Sequence, residues 1–306
     1  MMTPSNHTTK AYMALVIVSI FWGTTYLASR IGVRHMHGLM LSGVRQTVAG
    51  VLLVGFFLLK GYKLPKKEIL SRLFIIGTMM LVGANGMLTW ALKYIPSGLG
   101  AIIAATVPIW MTIFSFFLVQ QKNRISPLLI AGMVIGFIGV MGIFSDYLGD
   151  LTNPDFRFGI MLVLISCLSW SMGSVLTAKW ALEVNYLYGA GFEMLFSGIV
   201  MLCITMITGD FFHAQFTAEA WGSLLYLIFF GSILGYSAYV YTLNNLPPSL
   251  ASVYAYINPI VAVLLGWLIL DEQLNWTTAM SCLVTLTGVY MVNTAVNKNK
   301  ETYELS

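Results

Sequence analysis

Ten apolar runs, each about the length of a bilayer crossing, divide this chain from end to end. They are Tyr12–Val33, Gly38–Leu59, Ser71–Leu92, Leu99–Val119, Ser126–Phe144, Phe158–Trp180, Leu187–Thr208, Ala220–Leu243, Ser249–Leu270 and Asn275–Val292. An α-helix needs about 20 apolar residues to cross the hydrocarbon. A membrane β-barrel would instead alternate apolar and polar residues in pieces of about ten. These runs are apolar on every face, so helices are expected. Composition removes the soluble alternative: 58% of residues are hydrophobic and 9% are charged, against about 25% charged in soluble domains. The chain cannot build a water-facing surface, and it reads as an all-α integral membrane protein. The first run is too long for a signal peptide and lacks a small-residue cleavage site.

Lysine and arginine orient the helices. With the N-terminus inside, eleven basic residues fall on the inner side: Lys10, Lys60, Lys63, Lys66, Lys67, Arg72, Lys122, Arg124, Lys179, Lys298 and Lys300. Four fall outside: Arg30, Arg34, Lys93 and Arg157. This bias places both termini in the cytoplasm of a multi-pass cell (inner) membrane protein. The net charge of +4 is too small and too scattered to imply nucleic acid as a partner. Cys167, Cys203 and Cys282 lie far apart within apolar runs and read as buried small hydrophobes. The four histidines lie outside the apolar cores, so no metal and no cofactor is expected.

The sequence repeats internally. Leu92–Trp110 aligns with Leu243–Val261 without a gap, so that Pro96 meets Pro247, Leu99 meets Leu250 and Pro108 meets Pro259. Gly136–Ile143 resembles Thr285–Val292, and Trp22 falls near Trp170. Two repeats of five helices follow, residues 12–144 and 158–293. Five is odd, so the second enters the membrane from the opposite side. The expected fold is ten transmembrane helices as two inverted-topology five-helix repeats.

This arrangement resembles the drug/metabolite transporter superfamily, specifically its EamA-type members. The resemblance is carried by FWGTTYLASR in the first run, VRQTVAG in the second, and NPIVAVLLGWLILDEQL followed by GVYMV near the C-terminus. It covers essentially the whole chain and implies transport. The first half departs from the pattern: Gln121 stands where Glu is usual, while the second half keeps Glu272. Whatever that acid does is needed in one half only.

Within this frame several residues stand out. Pro108 and Pro259 lie near the centres of their runs, where water cannot satisfy a freed carbonyl. They are expected to break their helices and turn the carbonyls of Ala104 and Ala255 towards a central cavity. Polar and aromatic residues at helical spacing supply its candidate lining: Trp22 and Tyr26; Asn85 and Trp90; Thr106 and Trp110; Trp170 and Ser174; Tyr236 and Tyr239; Tyr254 and Asn258. The cavity would thus draw on the first, third, fourth, sixth, eighth and ninth helices. Asp271-Glu272 reads most simply as the interfacial end of a span. Arg45 and Glu193 are the deep charges and occupy matched positions in the two repeats. A charge at mid-bilayer costs about 2.5–3.5 kcal/mol on insertion scales. Each is therefore a candidate coupling or gate residue; otherwise Arg45 snorkels to the interface, or the two pair as a structural bridge. Gly132, Gly136, Gly139 and Gly142 permit close helix contact, within a monomer or across a homodimer.

The expected function is secondary transport by alternating access, with a small-molecule substrate, the lipid bilayer and protons as candidate coupling ions for partners. An aromatic, mildly polar cavity with one deep base suits neutral or zwitterionic metabolites such as amino acids, exported from the cell. Phosphorylated sugars would want two or more basic residues there. Efflux of lipophilic cations is the alternative. A membrane-embedded enzyme would need a compact cluster of catalytic side chains, and no such cluster stands out, so an enzyme is not expected.

Overall fold

The computed structural model describes residues 6–118, 126–146, 149–245, 254–272 and 275–304; among them it is helical, with no strand. Ten rods are numbered here in chain order. They are α1 (Asn6–Gly32), α2 (Gly38–Leu59), α3 (Lys67–Ala91), α4 (Ser97–Leu118), α5 (Pro127–Asp146), α6 (Pro154–Trp180), α7 (Tyr186–Thr208), α8 (Ala218–Thr242), α9 (Tyr254–Leu270) and α10 (Trp276–Glu304). Seven of them (α1–α4 and α6–α8) are long and apolar enough to cross a membrane. The others contain the shorter apolar stretches Pro127–Gly139, Ile257–Leu270 and Ala279–Val292.

Several helices begin before their apolar runs do, because backbone hydrogen bonding outlasts the hydrocarbon. In the first turns of α3, Glu68 and Arg72 pair at 2.9 Å. α6 opens with Asn153 accepting from the Asp155 N–H at 2.9 Å and with Pro154 in its first turn. Asn185 caps α7 through the N–H groups of Leu187 and Tyr188. At α2 the cap is His37, whose Nδ1 accepts from the Leu39 N–H at 3.2 Å. Burial holds this imidazole below its ordinary pKa, which keeps the ring neutral and its nitrogen free to accept.

The rods pack across the halves. α2 lies along α7, α5 along α10, α1 along α8 and α9, and α6 along α3 and α4. Exchange of the first five helices for the last five maps each of these pairings onto itself or another. Glycine sets the closest approaches. A Cβ on Gly288 would meet the Gly136 Cα at 2.5 Å and the Gly132 carbonyl at 2.7 Å, so α5 and α10 touch backbone to backbone. Gly139 faces the Thr285 backbone of α10 in the same way, and Gly142 faces the Ser281 side chain. The glycine stripe is therefore covered by α10 of the same chain.

Two expectations need correction. The pair of broken helices is not a pair. α4 is interrupted at Ala105–Thr106, just ahead of Pro108, whereas α9 runs unbroken through Pro259. Cys167 and Cys282 are buried as expected, but Cys203 is exposed. The irregularity that does occur at matched positions lies elsewhere. α3 is π-helical over Thr78–Gly86 and α8 over Leu227–Tyr236. Each wide turn displaces the hydrogen-bond ladder, a device common beside functional sites.

Candidate functional site

Between the two halves lies a cavity of about 100 Å³, room for several water molecules. Its wall draws on α1, α2, α3, α4, α6, α8 and α9. Helix α2 was not anticipated there. It supplies Arg45 and Gln46, adjacent residues within the VRQTVAG stretch.

One side of the wall is aromatic. Trp22 of α1 meets Trp170 of α6 edge to face, 5.5 Å between centroids and 80° between planes. Tyr254 stands perpendicular to Trp22 at 5.2 Å, and Tyr239 tilts against both tryptophans at 4.9 and 5.3 Å. Such contacts are worth about 0.5–1.5 kcal/mol each beyond area burial, so the cluster holds its shape. The π segment of α8 anchors it, because the Gly231 carbonyl accepts from Trp22 Nε1 at 3.2 Å. Tyr239 itself stands behind the lining and faces Ser174, with the two hydroxyls 3.5 Å apart.

The other side is polar. Arg45 is 4% exposed and does not snorkel; its Nε donates to Ser232 Oγ at 3.2 Å. Among the described residues, the ion pairs are His35–Glu219 and Arg72–Glu68, so the Arg45–Glu193 bridge does not form. Glu193 lies one layer back from the cavity. It is 6% exposed, and its carboxylate accepts from the Tyr236 hydroxyl at 2.6 Å. Tyr236 lines the cavity, so a phenol separates this acid from the central space. Asn85, on the π segment of α3, accepts weakly from Ser42 Oγ at 3.4 Å. With the Asn258 amide turned to satisfy its neighbours, its nitrogen donates to Ser19 O at 2.9 Å and Tyr254 O at 3.2 Å. That ties α9 to α1, and Ala255 and Pro259 are themselves part of the wall.

Of the residues singled out from sequence, Trp22, Tyr26, Asn85, Trp170, Tyr236, Tyr254, Asn258, Pro259 and Arg45 share the cavity. Others do not reach it. Trp90 packs on His37 and Phe158 at a helix end, and Trp110 packs on Phe137. Thr106 turns its hydroxyl back to the Ile103 carbonyl at the break in α4, leaving Val107 rather than Pro108 in the wall. Gln46, Thr25 and Ser166 line the cavity without having been singled out. Their signal was faint, since a lone polar residue inside an apolar run has no partner until the helices are packed.

The acidic stop of α9 has a definite structural use. Asp271 adopts a left-handed backbone, φ 55°, and the Glu272 N–H returns to the Gly266 carbonyl at 3.2 Å. The Glu272 side chain then crosses to α4, in the other half. It accepts from the Ser97 N–H at 2.8 Å, from Ser97 Oγ at 2.9 Å and from the Gly98 N–H at 3.2 Å. Pro96, which precedes α4, makes no side-chain cap of its own, so the carboxylate caps α4 from outside its repeat.

A sequence model described as the EamA-like transporter family matches residues 9–145 and again 157–294. The chain is 40% identical over 255 residues to a protein named "Uncharacterized inner membrane transporter YedA" of Escherichia coli K12, covering 83% of this chain and 80% of that one. It is 25% identical to the "Uncharacterized transporter YoaV" of Bacillus subtilis, over 95% of this chain and 99% of that one. Protein PecM of Dickeya dadantii is 28% identical, over 83% and 82% of the two chains. A solved crystal structure with 20% identity superposes with a TM-score of 0.67, covering 96% of this chain and 100% of that one.

Proposed function

Since this chain belongs to the EamA-like transporter family, we propose that it is a secondary transporter exporting small neutral or zwitterionic metabolites, amino acids among them, by alternating access. Its two halves, 12–144 and 158–293, form an inverted repeat of ten spans and rock about the central cavity. The naming of a relative as an inner membrane transporter supports the same location here, and the Lys/Arg bias supports cytoplasmic termini.

One observation carries this reading. Trp22 of the first half and Trp170 of the second meet edge to face within a single cavity wall. A site shared between repeats is where a rocking motion changes access without dismantling the binding surface. The aromatic wall suits an apolar side chain, and the polar wall suits a charged or polar end. An arginine without an acidic neighbour in that wall weighs against lipophilic cations as substrates.

The coupling element is Glu193. Held by Tyr236 and free of any basic partner among the described residues, it can take up a proton when the cavity opens to the acidic side. It releases that proton through the phenol when the cavity opens to the other.

Uptake of radiolabelled amino acids into vesicles carrying the purified protein tests the main reading. Trp22→Ala and Trp170→Ala should each reduce transport at least tenfold while folded yield changes less than twofold. Normal transport by both variants would place the substrate elsewhere.

A further inference from the structure

The cavity wall holds two polar groups that the protein leaves incomplete, and they are neighbours in sequence. Arg45 uses only Nε on a protein partner, Ser232. Its two terminal nitrogens carry no hydrogen bond to any described residue, and no described carboxylate lies within ion-pair distance. Beside it, Gln46 is 1% exposed, and its Oε1 is buried with no partner among the described residues. Both residues line the cavity. Gly231, on the π segment, leaves the guanidinium uncovered: a Cβ there would stand 3.5 Å from one terminal nitrogen and 3.1 Å from the Thr25 methyl.

Unpaired buried groups of this kind are expensive. An uncompensated charge costs several kcal/mol on burial, and an orphan carbonyl about 1–3 kcal/mol. A bound ligand can recover both terms. A guanidinium with its terminal nitrogens free presents a planar fork that matches a carboxylate in two parallel hydrogen bonds. The Gln46 amide, turned from its buried position towards the cavity, brings an acceptor oxygen to an N–H group on the same ligand.

We propose that Arg45 and Gln46 are the polar anchor of the substrate site: Arg45 binds the carboxylate of the substrate, and Gln46 accepts from its amino group. This rests on the transport reading above and narrows it. The carboxylate becomes obligatory, and compounds bearing only a cationic end are excluded. The remainder of the substrate lies against Trp22, Trp170 and Tyr254.

Acid and amide pairs test this directly. Full-length protein in nanodiscs is titrated with acetate and acetamide, benzoate and benzamide, and L-phenylalanine and L-phenylalaninamide, with binding followed by calorimetry. At least one acid should bind tenfold or more tightly than its amide, with phenylalanine the tightest of the three acids. Arg45→Gln should erase the preference, Arg45→Lys should retain part of it, and Gln46→Leu should weaken phenylalanine while leaving benzoate unchanged. If Arg45→Gln does not fold, the wild-type comparison decides alone. Equal binding of every acid and its amide, or binding of none of the six compounds, overturns the anchor, as does a folded Arg45→Gln protein that keeps the preference. Transport is read separately in vesicles. Acid-selective binding without transport would sink the transport reading and leave the anchor standing. Transport of phenylalaninamide as fast as phenylalanine would do the reverse.

Discussion

Replacing Glu272 by Gln should weaken one specific link between the halves. The native carboxylate offers both oxygens to the start of α4: Oε1 takes the Ser97 N–H, Oε2 takes the Gly98 N–H, and the Ser97 hydroxyl lies 2.9 Å from each. A glutamine keeps one acceptor and sets an NH₂ against the Gly98 N–H. The loss is one charge-assisted hydrogen bond, about 1.5–3 kcal/mol, plus a favourable charge at a helix N-terminus, about 0.3–1 kcal/mol. Relaxation recovers part of this, so about 2 kcal/mol is expected, or some thirtyfold in an unfolding equilibrium. Ser97→Ala removes only the hydroxyl and should cost about 1 kcal/mol. Because both changes act on one carboxylate, the double variant should cost about 0.5–1 kcal/mol less than the sum. Reversible unfolding in mixed micelles, followed by tryptophan fluorescence, supplies the three differences. Additivity within about 0.3 kcal/mol would refute the shared cap. A loss no larger for Glu272→Gln than for a lipid-facing substitution such as Leu268→Ala would do the same.

Other expectations are sharp enough to test. Gly288→Val has no room against the α5 backbone; it should cost at least 1–3 kcal/mol as overpacking, seen as a lowered melting temperature, while Gly55→Val, which meets nothing within 4 Å, should not. Glu193→Gln keeps an acceptor for the Tyr236 hydroxyl, so its stability should change by less than about 1 kcal/mol while transport loses its response to a pH gradient; a folded variant with the full response ends the proton role. Arg45→Gln and Glu193→Gln should change stability independently, because the two side chains form no ion pair; a coupling well above about 0.5 kcal/mol in the double variant would contradict that geometry. Lys66→Cys in a cysteine-free background should resist an impermeant thiol reagent applied to intact cells, and labelling from outside would reverse the topology.

The sequence by itself determined the solvent of this protein and much of its architecture. Runs of about 20 apolar residues can satisfy their backbone in hydrocarbon only as helices, so the position of each rod follows from composition. The expectation of two repeats rested on an approximate symmetry, matched prolines, glycines and tryptophans recurring at nearly the same offset. The meeting of Trp22 with Trp170 followed from that symmetry. The site itself was legible only in part. Helical spacing says which residues share a face, but in a helix that is apolar all round it does not say which face looks inward. Trp90 and Trp110 carry the same signal as Trp22 and Trp170, yet they pack at other contacts. Only the tertiary structure decided that α2 enters the cavity wall, and that Arg45 reaches Ser232 rather than Glu193. It also decided that Glu272 caps the start of α4, where the bonded Gly98 lies 174 residues away in sequence. The π segments were equally hidden, since a widened turn depends on what packs against it. Each of these outcomes rests on contacts between distant segments, whose geometry is set by packing and not by the local pattern of any one helix.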